Sequence, residues 1–338
     1  MRWLHRYNQV LTAAALLLIV AGGLVTSTGS GLSVPDWPNT YGYFMFSFPL
    51  SKMVGGILYE HGHRLIASIV GLLTTGLAIG LSRLDDRRWV GKLGWLSLAA
   101  VITQGILGGI TVLYFLPAPV SISHAGLAQL FFVLVVSLSV VTSPGWYHRY
   151  GRDTTAERVL DDDRVLQRLT MLTPVVIYVQ VLLGAIMRHT GAGLAIPDFP
   201  LAFGQLIPPV WDTGIVIHFS HRLGAIVSVG FIFATAGHVL AHHRHRLELV
   251  RPSLLLMLVL FAQLALGAWT VWSGKQVVIN TAHVANGALL LVTAVVLALK
   301  THRARFPDAP SMTTTGPGGS LLPDMAGLSS HDVPETER

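Results

Sequence analysis

Cysteine is absent from the chain and charged residues are scarce. Without cysteine, the chain has no disulfides, no thiolate metal sites and no cysteine nucleophile. Charged residues make up 12% of its 338 residues, whereas a soluble protein carries about a quarter. The net charge of +6 does not indicate nucleic-acid binding, because the basic residues are sorted by loop. This composition excludes an ordinary soluble protein, and we predict no nucleic-acid partner.

Long apolar runs are abundant instead. Hydrophobic residues make up 52% of the chain, and several runs reach the roughly 20 residues that a helix needs to cross a bilayer. The first run, from Val10 to Val25, is followed by TGSGLSVPDWP, which predicts a structured loop and not a signal-peptide cleavage site. We therefore predict an all-α polytopic membrane protein in the lipid bilayer. Its eight transmembrane helices lie near residues 9–28, 56–82, 91–113, 121–142, 168–188, 215–240, 252–272 and 279–300.

Arginine and lysine concentrate in alternate loops, which predicts the orientation of the helices. Cytoplasmic loops carry the excess of these residues. The opposite loops hold little more than Lys52, Arg188 and Lys275. We therefore predict that both termini are cytoplasmic, with residues 306–338 as a disordered tail rich in Pro, Gly, Ser and Thr. The basic residues on the cytoplasmic side are Arg2, Arg6, Arg83, Arg87, Arg88, Lys92, Arg149, Arg152, Arg158, Arg164, Arg168, Arg244, Arg246, Arg251, Lys300, Arg303 and Arg305.

The two halves of the sequence repeat one another. TGSGLSVPDWPNTYG from Thr28 matches TGAGLAIPDFPLAFG from Thr190, an offset of 162 residues, and His124 matches His283 at an offset of 159. Four crossings return the chain to its starting side, so the halves have the same orientation. We predict two four-helix bundles related by a pseudo-twofold axis along the membrane normal. The predicted units are residues 1–148, a cytoplasmic linker at 149–167, a second bundle at 168–305 and the tail.

Smaller features of the repeat have simpler interpretations. Asp36 and Asp198 follow glycine-rich segments and precede aromatic-proline pairs, which is typical of turns. Gln-x-x-x-Gly pairs at Gln104, Gln180 and Gln263 predict close helix packing with an interhelical hydrogen bond. The acidic run Asp161–Asp163 predicts a solvated part of the central loop.

Four histidines lie at matching depth in the predicted helices. His63 and His221 are near the outer ends of helices two and six, and His124 and His283 are near the outer starts of helices four and eight. Ionisable residues within a membrane are costly and usually functional. Two imidazoles facing across a bundle are the arrangement that ligates a haem iron axially. Zinc or copper would favour clusters with carboxylate or sulfur partners, so we predict one bis-histidine haem site in each half.

Other polar groups near these sites are open to two interpretations. Arg64 and Arg222 each follow a ligand histidine, where a guanidinium either pairs with a haem propionate or extends to the lipid headgroups. His61 and His189 have no repeat partner, and the histidines at the predicted cytoplasmic ends have ordinary positions, so we assign no role to them.

One substitution breaks the repeat. His218 stands in the second half where Glu60 stands in the first. Glu60 and His63 are three residues apart, about 4.5 Å in rise and on neighbouring faces of a helix. A carboxylate there can act as a general base or stabilise developing positive charge, which predicts chemistry at the first site and a permanent haem at the second. The alternative is that Glu60 only balances the charge of Arg64 and the haem.

At these residues the chain resembles the haem A synthase family. GGLVTSTGSGLSVPDWP, the Glu60-x-x-His63-Arg64 motif and His124 carry the resemblance in the first half. MRHTGAGLAIPDFPLAFG, His221-Arg222 and His283 carry it in the second. Some members of the family have a cysteine pair in the first outer loop, which this chain lacks.

The resemblance implies an oxidoreductase acting on a CH group. Such an enzyme oxidises the C8 methyl group of haem O to a formyl group, by successive hydroxylations, and so makes haem A for cytochrome oxidase. His63 and His124 would bind the haem O substrate, His221 and His283 would ligate a haem b cofactor, and Glu60 would be catalytic. The resemblance also implies a multi-pass protein of the inner (plasma) membrane.

Other functions stay open at this point. A di-haem electron-transfer cytochrome without a substrate haem explains all four histidines but gives Glu60 no necessary role. A transporter would require a polar midplane, whereas the ionisable groups of this chain gather at the predicted outer edge. Haem O synthase, cytochrome oxidase assembly factors and a second copy of the chain are candidate partners.

Overall fold

Eight long helices form the described part of the chain. A computed structural model describes residues 2–147 and 163–306, and all eight helices are long and apolar enough to cross a membrane. They confirm the predicted all-α, multi-pass architecture, and most of them extend further than predicted. The helices are α1 (Arg2–Ser27), α2 (Gly56–Leu84), α3 (Arg88–Leu113), α4 (Ala118–Val141), α5 (Arg164–His189), α6 (Thr213–His242), α7 (Leu247–Trp272) and α8 (Val277–Thr301).

Several of these helices begin at residues that suit a helix start. At the starts of α5, α6 and α8, the side chains of Asp163, Asp212 and Gln276 each accept the backbone N–H of the residue three positions later. Such a side chain satisfies one of the backbone donors that the first helical turn leaves without a partner. Pro119 is the second residue of α4, where its fixed backbone angle suits the first turn of a helix.

The helices pack in two groups of four. In the first group, α2 packs against α1 and α3, and α4 packs against α3 and α1. In the second group, α6 packs against α5 and α7, and α8 packs against α7 and α5. Contacts of α1 with α8, and of α4 with α5 and α8, join the groups. This packing is what two four-helix bundles require; the pseudo-twofold axis between them stays a prediction.

Each group has an apolar core of its own. Leu77, Leu81 and Leu138 are fully buried in the first group, and Ile232 and Leu256 are fully buried in the second. At the boundary, Val133 of α4 packs on the second core, and Ala288 and Val292 of α8 belong to the first. The two cores are thus continuous with each other through α4 and α8.

The connections between the helices define two sides of the molecule. We call the side with the long loops 28–55 and 190–212 the loop side, and the side with the starts of α1 and α5 the arginine-rich side. The predicted linker at 149–167 lies mostly outside the described residues, but its last four residues belong to α5, which begins at Arg164. Apart from Phe306, the predicted tail also lies outside them.

Candidate functional site

The first long loop folds back over the end of α2. The two carboxylate oxygens of Asp36 accept backbone N–H groups from Tyr41 and Gly42, each at 2.8 Å. Gly42 has a φ of +76°, a conformation that favours glycine. Burial alone would raise the pKa of Asp36, but these two N–H groups and the charge of Arg64 lower it below its ordinary value. The carboxylate therefore stays ionised and holds the turn.

The second long loop repeats these contacts. Asp198 accepts the backbone N–H groups of Phe203 at 2.7 Å and Gly204 at 2.8 Å. Gly204 has a φ of +77°. The N–H of Gly204, with that of Phe203 and the charge of Arg222, lowers the pKa of Asp198, even though desolvation opposes the shift. The predicted turn role of the two aspartates is confirmed.

Arg64 ties the first loop to α2. Its Nη1 donates to the carbonyl oxygens of Asp36 at 2.8 Å and Asn39 at 3.0 Å. Its Nη2 donates to the carbonyl of Val34 at 2.9 Å and to the carboxylate of Glu60 at 2.7 Å. A planar guanidinium with several donors suits this kind of multiple contact. In the structure, Arg64 therefore clamps the loop, a role that neither sequence interpretation anticipated.

Arg222 makes the corresponding clamp in the second half without a carboxylate. Its Nη1 donates to the carbonyl of Leu201 at 2.8 Å, and its Nη2 donates to that of Asp198 at 2.6 Å. Its Nε is buried without a hydrogen-bond partner. Arg222 also lies over the ring of Phe199, 5.6 Å from its centroid. One donor of this guanidinium is thus free for a further acceptor.

The two clamps predict unequal effects of the same substitution. Arg222→Ala leaves loop carbonyls without a donor, at a cost of about 1–3 kcal/mol. Arg64→Ala also leaves the carboxylate of Glu60 buried without its counter-charge, and breaking a buried pair in this way costs about 3–5 kcal/mol. We expect a larger fall in the apparent midpoint of thermal unfolding, measured in detergent, for Arg64→Ala. Adding Glu60→Gln to Arg64→Ala should restore part of the loss; equal losses for the two single variants would contradict this account.

Glu60 is buried at the loop side of α2. It is 4% exposed, and its two oxygens have different partners. Oε1 accepts from Arg64 at 2.7 Å, and Oε2 accepts the backbone N–H of Val34 at 2.8 Å. The ion pair with Arg64, which the sequence suggested as the alternative role of Glu60, is therefore present. Both contacts favour the ionised carboxylate.

His218 takes the same place in the second half. It is 3% exposed, and its Nδ1 faces the backbone N–H of Ile196 at 3.2 Å. Ile196 corresponds to Val34 in the repeat. The loop N–H thus meets a carboxylate in one half and a neutral ring nitrogen in the other. A nitrogen that accepts this N–H has no proton of its own, so Nδ1 of His218 is unprotonated. The first half can therefore have a negative charge, on Glu60, at a position where the second half has none.

Each of the four predicted ligand histidines lies against a glycine of a neighbouring helix. A Cβ atom added to Gly22 would be 3.1 Å from the ring of His63, and one added to Gly184 would be 3.1 Å from that of His221. In the same way, a Cβ atom added to Gly108 would be 3.4 Å from the ring of His124, and one added to Gly267 would be 3.2 Å from that of His283. These glycines leave room for an imidazole between closely packed helices.

Within each half the two histidines lie near each other. His63 and His124 are close enough to interact electrostatically, and so are His221 and His283. All four residues are partly exposed. In His63, His124 and His283 the Nδ1 atom is buried against the glycine of the neighbouring helix. Since all four residues are partly exposed, Nε2 is the ring nitrogen of these three histidines that is left for a bound ligand. The chemistry and the placement of the side chains fit two haem irons.

The three glutamines hold the histidines in place. Gln104 donates to the backbone carbonyl of His124 at 2.8 Å, and Gln180 donates to that of His221 at 2.8 Å. Gln263 lies 3.4 Å from Nε2 of His283. The predicted interhelical hydrogen bonds are confirmed, and the glutamines are in direct contact with the site histidines.

Arg188, to which the sequence analysis assigns no role, joins the two halves on the loop side. Its Nη2 donates to the backbone carbonyl of Gly23 at 2.9 Å and to Oγ of Ser27 at 3.1 Å. Asn280 and Thr281 of α8 donate to the same Ser27 oxygen, at 3.0 and 3.1 Å. The sequence signal for this contact is that Arg188 is one of the few basic residues on the loop side.

The two unmatched histidines differ from each other. His61 is buried, pairs with Thr40 at 3.0 Å and packs on Phe48, which is a structural role. His189 is near enough to His124 to interact with it electrostatically.

The chain is similar to proteins of known function. Residues 43–295 match the COX15-CtaA family, described as cytochrome oxidase assembly protein. A haem A synthase of Symbiobacterium thermophilum is 31% identical over 233 residues, 68% of this chain and 73% of that protein. A haem A synthase of Geobacillus kaustophilus is 26% identical over 315 residues, 90% of this chain and 94% of that protein. Residues 43–295, the range that matches the family, contain all four histidines and Glu60.

Proposed function

We propose a site assignment from one premise: the chain belongs to the haem A synthase family, the COX15-CtaA proteins of cytochrome oxidase assembly. Its function is haem A synthesis, and it is an oxidoreductase that acts on haem O. The observation that carries the site assignment is the pair of neighbouring imidazoles in each half, each packed on a glycine.

We infer that the first half binds the haem O substrate between His63 and His124. The C8 methyl group is hydroxylated twice, and loss of water from the geminal diol leaves the formyl group. With water as the source of oxygen, each hydroxylation replaces one C–H bond of the methyl carbon with a C–O bond. It releases two protons and two electrons, and an external acceptor takes the electrons. Glu60 distinguishes this half, because its carboxylate, which pairs with Arg64, lies on the same helix as His63. We assign to it the stabilisation of positive charge, or the acceptance of a proton, as the methyl carbon is oxidised.

We assign the second half to a resident haem b. His221 and His283 would hold this haem, and Gln180 would fix the orientation of the His221 ring through its contacts with Nδ1 and with the backbone carbonyl of His221. Haem b, when bound there, supplies a one-electron redox centre. His218 has no negative charge to offer, which suits a haem that is kept and not oxidised. The division into a substrate bundle and a cofactor bundle follows from this contrast.

The two arginines that follow site histidines are candidates for a further contact with haem. Arg222 has a buried Nε without a partner, so it suits a haem propionate, and Arg64 is the corresponding candidate in the first half.

We place the loop side on the outer face of the inner membrane and both termini in the cytoplasm, because the arginine-rich side carries most of the basic residues. Haem O synthase and cytochrome oxidase assembly factors are the proposed protein partners, and a homo-oligomer is the proposed state.

Extraction of the pigments from purified protein tests this function. Protein made in cells that supply haem O should yield haem b together with haem A or a hydroxylated haem O, identified by chromatography and mass spectrometry. A di-haem electron-transfer cytochrome would instead yield haem b alone, at two equivalents per chain. That second result would overturn the assignment of the first half to a substrate.

A further inference from the structure

Three potential metal ligands converge on the arginine-rich side, far from the four site histidines. Asp163 immediately precedes α5, His238 lies in the last turns of α6, and His243 follows that helix. Nε2 of each histidine lies 2.8 Å from the same oxygen, Oδ2 of Asp163. The three ligand atoms all lie within 4.8 Å of one another. His238 is about 25 Å along α6 from His221 at 1.5 Å per residue.

The local structure presents the carboxylate to the histidines. Oδ1 of Asp163 accepts the backbone N–H of Leu166 at 2.9 Å and so caps α5. This bond leaves Oδ2 for the two rings. Burial alone would raise the pKa of Asp163, but the Leu166 N–H and the two imidazoles lower it well below its ordinary value. The carboxylate is therefore ionised. For Asp163, the prediction of a simply solvated place in the central loop is therefore wrong. Asp161 and Asp162 of the same predicted run lie outside the described residues.

The donor set suits a particular class of cation. Two imidazoles and one carboxylate are the protein ligands of many zinc sites that leave a fourth position open to water. Around a tetrahedral zinc ion, with bonds of 2.0–2.1 Å, neighbouring ligand atoms are about 3.3 Å apart. Each Nε2–Oδ2 pair would have to separate by about half an ångström from its present 2.8 Å. His243 is buried and the other two side chains are partly exposed, so the site is open on one side.

We propose that Asp163, His238 and His243 bind a divalent transition-metal cation, with zinc as the best match. The cation links the start of α5 to the end of α6, and so stabilises the contact between these two helices on the arginine-rich side. This site is independent of haem chemistry, since it lies at the opposite end of α6 from His221.

Zinc titration of the purified, haem-containing protein tests the proposal. The protein carries an affinity tag without histidines and is treated with a chelator before calorimetry and elemental analysis. We expect one zinc ion per chain in the wild type. His243→Ala should weaken its binding about a hundredfold or more, because loss of even an outer-shell partner costs 10–100-fold. His245→Ala, which removes an exposed imidazole of the same loop, is the matched control and should bind zinc normally.

A second variant distinguishes the loss of a metal ligand from misfolding as the cause of lost zinc binding. Asp163→Asn keeps an oxygen that can cap α5 but offers a much poorer metal ligand, and its haem spectrum reports whether the fold is intact. Excess zinc should raise the apparent unfolding temperature of the wild type and of His245→Ala, because a ligand that binds only the folded state stabilises it. It should not raise that of Asp163→Asn or His243→Ala. Zinc binding of equal affinity in all four proteins, or none in the wild type, would overturn the proposal.

Discussion

Replacing Glu60 with alanine should stop haem A formation while the resident haem b stays bound. The carboxylate is the group that the first half has and the second lacks, and positioned acid–base groups contribute about 10²–10⁴-fold to a rate. We therefore expect the conversion of haem O in membranes containing Glu60→Ala to fall at least about a hundredfold. Haem analysis by chromatography measures this fall, and the absorption spectrum reports haem b.

The structure adds a second explanation that the experiment must separate. Glu60 also pairs with Arg64 and accepts the N–H of Val34, so its loss loosens the loop. Glu60→Gln keeps an acceptor for Val34 and the approximate shape of the side chain. If activity falls equally in Glu60→Gln and Glu60→Ala, the charge is what matters. His218→Ala is the matched control, because it breaks the equivalent loop contact in the second half. Haem A formation at the normal rate in Glu60→Ala would refute the catalytic role.

Replacing His283 with alanine should remove the resident haem b. The ring packs on Gly267 and lies beside Gln263 of the same helix, and it is near enough to His221 to interact with it electrostatically. A haem with a single protein ligand is held weakly and loses its six-coordinate spectrum. We expect the purified variant to contain little haem b, as measured by the pyridine haemochrome spectrum.

His124→Ala is the matched control for this variant. It removes the ring that packs on Gly108 in the first half, and it should keep the haem b spectrum while it loses binding of haem O. A normal six-coordinate haem b in His283→Ala would contradict the ligand assignment. Loss of haem b in His124→Ala alone would exchange the roles of the two halves.

Much of the fold follows from local patterns that the sequence displays directly. Apolar runs locate all eight helices, because a span needs about 20 apolar residues whatever its neighbours are. The repeat also locates the turns at Asp36 and Asp198, since each carboxylate acts on residues only five and six positions away. The helix starts were less accurate, as in α5, where Asp163 caps a helix predicted to begin later.

Contacts between distant residues could not be read from the sequence in the same way. Arg64 suggested a propionate partner or a group extending to lipid, but its donors meet carbonyls 25 to 30 residues away. The partners of Arg188 are more than 160 residues away, across the boundary between the two groups of helices. Asp163 meets His238 and His243 only because α5 packs beside α6. Each of these contacts depends on which helices are neighbours, and hydropathy does not determine that.

The location of iron tests the central claim most directly. Anomalous scattering at the iron edge, from crystals of protein supplied with haem O, should give two iron positions per chain. We predict one between His63 and His124 and the other between His221 and His283. Iron in only the second position after haem O is supplied, or iron bound by other side chains, would contradict the two-site account.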